Sequence, residues 1–184
     1  MSYLDAALGA VGALSLGNLV LTVMVTRRTR RTAEGIAAAP PRSSAQAGLR
    51  PGMPAGNFTA VTVSGDSLTL ADLTGERSLV GFFSPGCGPC QRQVLEFAEL
   101  AGKISGGARH VLAVVAAEEE ERAAALSFAA GLDGLASVVI EPAHGPVATA
   151  FAARGFPTVY VVGADGRIEA GELAVGMLPA LATT

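Results

Sequence analysis

The longest apolar stretch of the chain lies near its N-terminus. Residues 6–25 are apolar or small except for Ser15, Asn18 and Thr22, and a helix needs about 20 such residues to cross a bilayer. The stretch has no polar face, whereas a helix packed on a globular core usually has one. A cleavable signal peptide is disfavoured because the residues before the stretch include an acidic and no basic side chain. We therefore predict a transmembrane helix over residues 4–26.

The segment after this stretch begins with basic residues and then shows no hydrophobic periodicity. Four arginines lie between Arg27 and Arg31, and residues 27–51 are rich in Ala, Pro, Ser and Gly, which is typical of a flexible tether. The positive-inside rule places such arginines on the cytoplasmic side of a membrane. This rule favours a single-pass cell-membrane protein whose globular part, residues 52–184, is cytoplasmic.

The globular part alternates between short apolar runs and segments with helical spacing. Two short alternating segments, residues 58–63 and 67–70, flank Ser64-Gly65-Asp66 and predict a β-hairpin. Further strands are predicted over residues 79–83, 111–116, 137–140, 158–162 and 167–170, and helices over 89–102, 119–130, 146–153 and 176–182. Alternating strands and helices indicate a parallel sheet, and Asp165-Gly166 indicates a final hairpin. The predicted fold class is α/β with a mixed central sheet flanked by helices.

The only two cysteines occur as Cys87-Gly88-Pro89-Cys90, between the strand at 79–83 and the helix that follows it. A cysteine at the positive end of a helix is favoured as thiolate over thiol, and Cys90, one turn later, lies within reach of whatever Cys87 attacks. A lone pair at this spacing indicates redox chemistry rather than a structural disulfide framework. Two inert buried thiols are the alternative.

The charge balance and the small number of possible metal ligands argue against a nucleic-acid-binding protein and a metalloprotein. From Arg50 onward the chain holds eight basic and fourteen acidic side chains, whereas a nucleic-acid surface needs clustered basic residues. His110 and His144 are the only histidines and have no ligand spacing to the cysteines. We expect no nucleic-acid partner, no metal and no cofactor.

The order of these features resembles the thioredoxin superfamily. The shared features are a hairpin, a strand leading into Cys-Gly-Pro-Cys, further strand–helix units and Gly155-Phe156-Pro157-Thr158 before a strand. Within the superfamily, the chain is most similar to the membrane-anchored branch related to TlpA, ResA and MauD, which has an AhpC/TSA-type hairpin. The resemblance implies a thioredoxin-like fold and a thiol-disulfide oxidoreductase. It also implies a protein substrate with a disulfide or dithiol, a redox partner that exchanges electrons, and a domain outside the cytoplasm.

The same resemblance implies roles for individual residues. Cys87 attacks the partner's disulfide and Cys90 resolves the mixed disulfide. The pair Gly88-Pro89 is similar to that of thioredoxin rather than of DsbA-type oxidases, which favours a disulfide reductant. Phe156 and Pro157 border the substrate groove, with Pro157 in the cis form beside the dithiol.

Three positions depart from the family pattern. The aromatic residue before the first cysteine is replaced by Gly86, the buried acid of the preceding strand by Gly81, and the glutamate that follows the second cysteine in ResA-like proteins by Gln93. No acid at these positions can assist resolution. Glu96 and Glu99, on the same predicted helix, are the remaining candidates.

Two other functions stay open. A peroxiredoxin-like thiol peroxidase with antioxidant activity would need a proline where this chain has Val80, although Ser84 fits the hydroxyl position of that motif. A non-enzymatic chaperone or metallochaperone of the MauD type would serve the maturation of another protein, and its activity would survive Cys87→Ser if it is independent of the thiols.

Overall fold

The computed structural model describes residues 48–172. All of the described residues belong to one compact unit. The predicted transmembrane helix over residues 4–26, most of the tether and the predicted helix at 176–182 lie outside the described residues. Within residues 48–172, none of the helices has both the length and the apolar character needed to cross a bilayer.

The described part contains seven strands and three α-helices. The strands are β1 Thr59–Val61, β2 Ser67–Thr69, β3 Ser78–Phe83, β4 Val111–Ala116, β5 Ser137–Glu141, β6 Thr158–Val162 and β7 Ile168–Glu172. The helices are α1 Gly88–Ala101, α2 Arg122–Ala129 and α3 Pro146–Ala150, and single 3-10 turns occupy Leu70–Leu73, Gly107–His110, Glu119–Glu121 and Ala130–Leu132. The predicted order of strands and helices is confirmed throughout this range.

The central sheet is mixed, as predicted. Its strand order is β5-β4-β3-β6-β7, with β3, β4 and β5 parallel and with β6 antiparallel to both β3 and β7. Strands β1 and β2 form a separate antiparallel hairpin. All six residues of β3 are buried, because this strand has a neighbour on each side and helices on each face. The loop that carries the cysteines therefore leaves the middle of the sheet.

Two apolar layers cover the faces of the sheet. Along β3 alternate side chains point to opposite faces, so that Phe83 contributes to the layer under α1 and α2, while Phe82 contributes to the layer under the hairpin and α3. In the second layer, Phe151 contacts the rings of Phe58, Phe82 and Tyr160, with centroids 6.2, 5.6 and 5.6 Å away. The sheet is therefore anchored on both faces by aromatic contacts.

Helix α3 is shorter than predicted, ending at Ala150 rather than Ala153. Ala152 adopts a left-handed conformation with φ of 48°, and the amides of Ala152 and Ala153 donate to the carbonyls of Thr149 and Ala148 at 3.1 and 2.9 Å. These are the two bonds of a Schellman C-cap. Glycine usually marks such an end in the sequence, and here alanine takes its place.

The predicted helix over residues 119–130 is also interrupted. Glu119–Glu121 and Ala130–Leu132 form 3-10 turns, and only Arg122–Ala129 is α-helical. Helix termini commonly tighten in this way, so the difference is one of boundaries rather than of element type.

Truncating Phe151 should strongly destabilise the domain. The side chain is fully buried, and Phe151→Ala removes a ring that three other rings contact, so we expect the free energy of unfolding to fall by about 3–5 kcal/mol. The control is Leu95→Ala, since Leu95 is 67% exposed, and its effect should stay within about 0.5 kcal/mol. Equal effects of the two substitutions in urea denaturation would contradict the packing described here.

Candidate redox site

Cys87 lies at the N-cap of α1. Its backbone is extended, with φ of −93° and ψ of 108°, and its carbonyl accepts from the amides of Cys90 and Gln91 at 3.0 and 3.3 Å. The amide of Cys90 also donates to Cys87 Sγ at 3.3 Å. Pro89 fits the first helical turn, where its missing N–H leaves no hydrogen bond unmade. The helix start therefore holds the Cys87 sulfur with a backbone donor directed at it.

The peptide bond between Phe156 and Pro157 is cis, as the family resemblance implies. The Cys87 thiol donates to the carbonyl of Phe156 at 3.7 Å. The hydroxyl of Thr158 donates to the carbonyl of Gly155 at 2.7 Å, which closes the turn before β6. The loop before β6 and the start of α1 therefore meet at Cys87, although they are far apart in sequence.

The two thiols are free and have different surroundings. Cys87 is half-buried, whereas Cys90 is fully buried in the layer under α1. Burial raises the pKa of the Cys90 thiol to about 12, and its hydrogen bond with Cys87 acts in the same direction. Desolvation penalises the charged form of a thiol, so Cys90 is held neutral while Cys87 faces the surface.

The position of the family's buried acid is filled by aromatic rings. A Cβ atom on Gly81 would lie 2.6 Å from ring atoms of both Phe83 and Phe97, and those two rings are in edge-to-face contact with centroids 5.2 Å apart. No side chain fits at Gly81 unless these rings move. The absence of an acid there is therefore part of the packing of α1 on β3.

The other residues predicted around the dithiol lie on the surface. Gly86, Gly88 and Pro89 are exposed, and a Cβ atom on either glycine would meet no atom within 4 Å. The space beside Cys87 is therefore open to a partner. Glu96 and Glu99 are both exposed on α1, whereas Cys90 is fully buried.

One buried carboxylate was not predicted from the sequence. Glu141, at the end of β5, accepts hydrogen bonds from the amides of Val147 and Ala148 at 3.1 and 2.7 Å. Burial raises its pKa, and these two amide donors oppose the shift. Val147 and Ala148 belong to the layer under α3, so this carboxylate caps α3 on the face of the sheet opposite Cys90. No local pattern around Glu141 marks it as buried.

The histidines do not approach the dithiol. His110 Nδ1 lies 2.9 Å from the hydroxyl of Ser78, which donates to the carbonyl of Leu73, and His144 is exposed. Because the single hydroxyl hydrogen of Ser78 is used by Leu73, Nδ1 of His110 is the donor in this pair. Within residues 48–172, no cluster of three or more His, Cys, Asp or Glu side chains is suited to a metal ion.

The fold and the paired thiols at the start of α1 define a thiol-disulfide oxidoreductase with a thioredoxin-like fold. Residues 50–177 match the Redoxin family. The chain therefore belongs to the Redoxin family.

Solved structures with the same fold come from several bacteria. The thioredoxin domain of thiol-disulfide oxidoreductase BVU-2223 from Bacteroides vulgatus superposes with a TM-score of 0.57 at 22% identity, covering 68% of this chain and 90% of that one. A thiol:disulfide interchange protein from Bacteroides sp. superposes with a TM-score of 0.53 at 22% identity, covering 68% of this chain and 82% of that one. A secreted Mycobacterium tuberculosis disulfide oxidoreductase homologous to E. coli DsbE superposes with a TM-score of 0.52 at 19% identity, covering 69% of this chain and 87% of that one. No curated protein matches the chain.

The different surroundings of the two thiols predict selective alkylation. When the reduced native protein is treated with iodoacetamide near neutral pH, Cys87 should be modified and Cys90 should not, because Cys90 is buried and neutral. Mass spectrometry should find one adduct, and a second only after unfolding. Cys87→Ser is the control, and it should take up no label in the native state. Rapid labelling of Cys90 in that variant would contradict the burial of its thiol.

Proposed function

We propose that this chain is a membrane-anchored disulfide reductant that acts through the Cys87–Cys90 dithiol. One observation carries the proposal: Cys87 is a partly exposed residue at a helix start, with its sulfur 3.3 Å from the Cys90 amide, while Cys90, one turn later, is fully buried. This arrangement separates an accessible nucleophile from a protected second thiol.

The reaction follows from that separation. Cys87, as thiolate, attacks one sulfur of a partner's disulfide, forms a mixed disulfide and releases the partner's other sulfur as a thiolate. Cys90 then loses its proton and attacks Cys87 Sγ, so that a Cys87–Cys90 disulfide forms and the second partner thiolate leaves. Two electrons pass from the dithiol to the partner. A separate redox partner must return two electrons to the Cys87–Cys90 disulfide before the next cycle.

The substrate in this proposal is a disulfide in a protein. Gly86 and Gly88 leave open space beside Cys87, and the loop at Phe156 and Pro157 borders the same sulfur. A polypeptide can approach the sulfur across this open surface and lie along the backbone of that loop. The two glycines and the loop at 156–157 would thus form the two sides of the groove.

The direction of electron transfer can be measured as a reduction potential. We expect the full chain in detergent, equilibrated with defined dithiol buffers, to have a potential near that of thioredoxin, about −270 mV, because it has the same Gly-Pro pair. A value near about −120 mV would identify an oxidase instead. Cys90→Ser is the control and should form no intramolecular disulfide. If the unaltered chain forms none either, the proposed function fails.

The proposed anchor is residues 4–26, supported by their apolar length. The arginines between Arg27 and Arg31 favour a cytoplasmic domain, whereas the family resemblance favours the opposite side. If the arginines place the domain in the cytoplasm, an impermeant maleimide should label Cys87 only after intact cells are permeabilised. A Cys87→Ser variant controls for labelling of other proteins. Labelling of intact cells would place the domain outside the cytoplasm, and recovery of the full chain in the soluble fraction would contradict the anchor.

A further inference from the structure

We propose that Glu141 is a positioning residue for the substrate loop, residues 151–157, and that its carboxylate sets how well this loop receives a protein disulfide. The inference rests on the proposed function and concerns the binding of its substrate. A series of hydrogen bonds supports it, from the carboxylate through α3 to the backbone beside Cys87. The carboxylate lies on the face of the sheet opposite Cys90, so it acts through α3 rather than on the buried thiol.

The start of α3 depends on a carboxylate from another element. Gly145 occupies the N-cap and has no side chain to accept from the first amides, and Pro146 follows with no N–H. The two oxygens of Glu141 accept from the amides of Val147 and Ala148 instead, at 3.1 and 2.7 Å. A Cβ atom at Gly145 would lie 2.5 Å from the carboxyl carbon of Glu141. Glu141 therefore supplies the cap that α3 cannot make for itself.

Ala148 connects this cap to the substrate loop. Its amide donates to Glu141, and its carbonyl accepts from the amide of Ala153 at 2.9 Å. Ala153 is buried, and three residues later the carbonyl of Phe156 accepts from the Cys87 thiol at 3.7 Å. Because packed interiors transmit small shifts, a displacement of the first turn of α3 reaches the backbone beside Cys87 within a few residues.

The geometry requires a carboxylate rather than an amide at position 141. Both of its oxygens are acceptors, and each faces an N–H group. A glutamine would keep one acceptor and place its NH₂ group against the other N–H, which would leave that buried donor without an acceptor. Since α3 has only five residues and short helices are marginal without such contacts, we expect the substrate loop to be held less firmly while Cys87 stays at the start of α1.

Two disulfides of different size separate binding at the substrate loop from attack by Cys87. Insulin offers a disulfide within a polypeptide that can lie along the loop, whereas a small aromatic disulfide reaches Cys87 without it. For the reduced full chain in detergent, the rate constant with insulin is measured by acid quench and mass spectrometry, and that with the aromatic disulfide by the colour of the released thiolate. Glu141→Gln should lower the ratio of the insulin to the aromatic rate constant about tenfold. A loss of folded protein alone would lower both rate constants in proportion and leave the ratio unchanged.

Gly145→Ala tests the same contact without removing the charge. The new Cβ atom would displace the carboxylate from the amides of α3, so we expect a similar fall in the ratio. The backbone of Gly145, with φ of −65° and ψ of 177°, is one that alanine adopts without strain. This variant decides the question if Glu141→Gln does not fold.

Asp72→Asn is the matched control. The Asp72 carboxylate caps the 3-10 turn Leu70–Leu73 by accepting from the amide and the hydroxyl of Thr69 at 2.8 and 2.7 Å. This turn precedes β3, whereas the dithiol follows it, so Asp72→Asn should leave the ratio unchanged.

Three outcomes would count against the inference. An unchanged ratio in Glu141→Gln, or in Gly145→Ala where Glu141→Gln does not fold, would overturn it and leave the proposed function intact. An equal fall in Asp72→Asn would do the same, because the effect would not be specific to α3. Failure of the unaltered chain to reduce either disulfide would overturn the proposed function and this inference together.

Discussion

The ring contact between Phe83 and Phe97 fixes α1 on the central strand, and the geometry of both cysteines depends on it. The rings can meet over Gly81 because this residue has no side chain to separate them. Helix α1 is thereby held at two places, by the loop from β3 at its start and by this contact more than two turns later. These two contacts place Cys87 at the end of the central strand and Cys90 beneath it, in the layer under α1.

The same contact links the stability of the fold to the chemistry of the site. Filling the space at Gly81 with aromatic rings improves the packing of the core, yet it leaves no room for an acid at this position of β3. A buried carboxylate would itself need hydrogen-bond donors in an apolar layer. The chain meets that requirement elsewhere, at Glu141, where two free amides at the start of α3 satisfy the carboxylate.

Features with a local signal could be predicted from the sequence, and features set by distant packing could not. The apolar run of β3, the helical spacing of α1 and the turn at Ser64-Gly65-Asp66 each depend on neighbouring residues. The end of α3 at Ala150 depends on Ala152 adopting a conformation for which its residue type gives no signal. The burial of Glu141 depends on where α3 packs. The cysteine pair was identified from its spacing, whereas the enclosure of Cys90 required the positions of rings on two elements.

The difference between the two cysteines follows from the start of one helix. A helix N-terminus presents unpaired amides, and the Cys87 sulfur at the N-cap accepts a hydrogen bond from one of them, the amide of Cys90. Three residues later the chain has turned inward, so Cys90 exchanges contact with water for contact with the core. In the proposed reaction, a substrate bound to Cys87 would place its disulfide close to the buried Cys90 thiol, and this proximity would replace a collision in solution. The helix start therefore protects the second thiol from unrelated reagents while keeping it next to its own target.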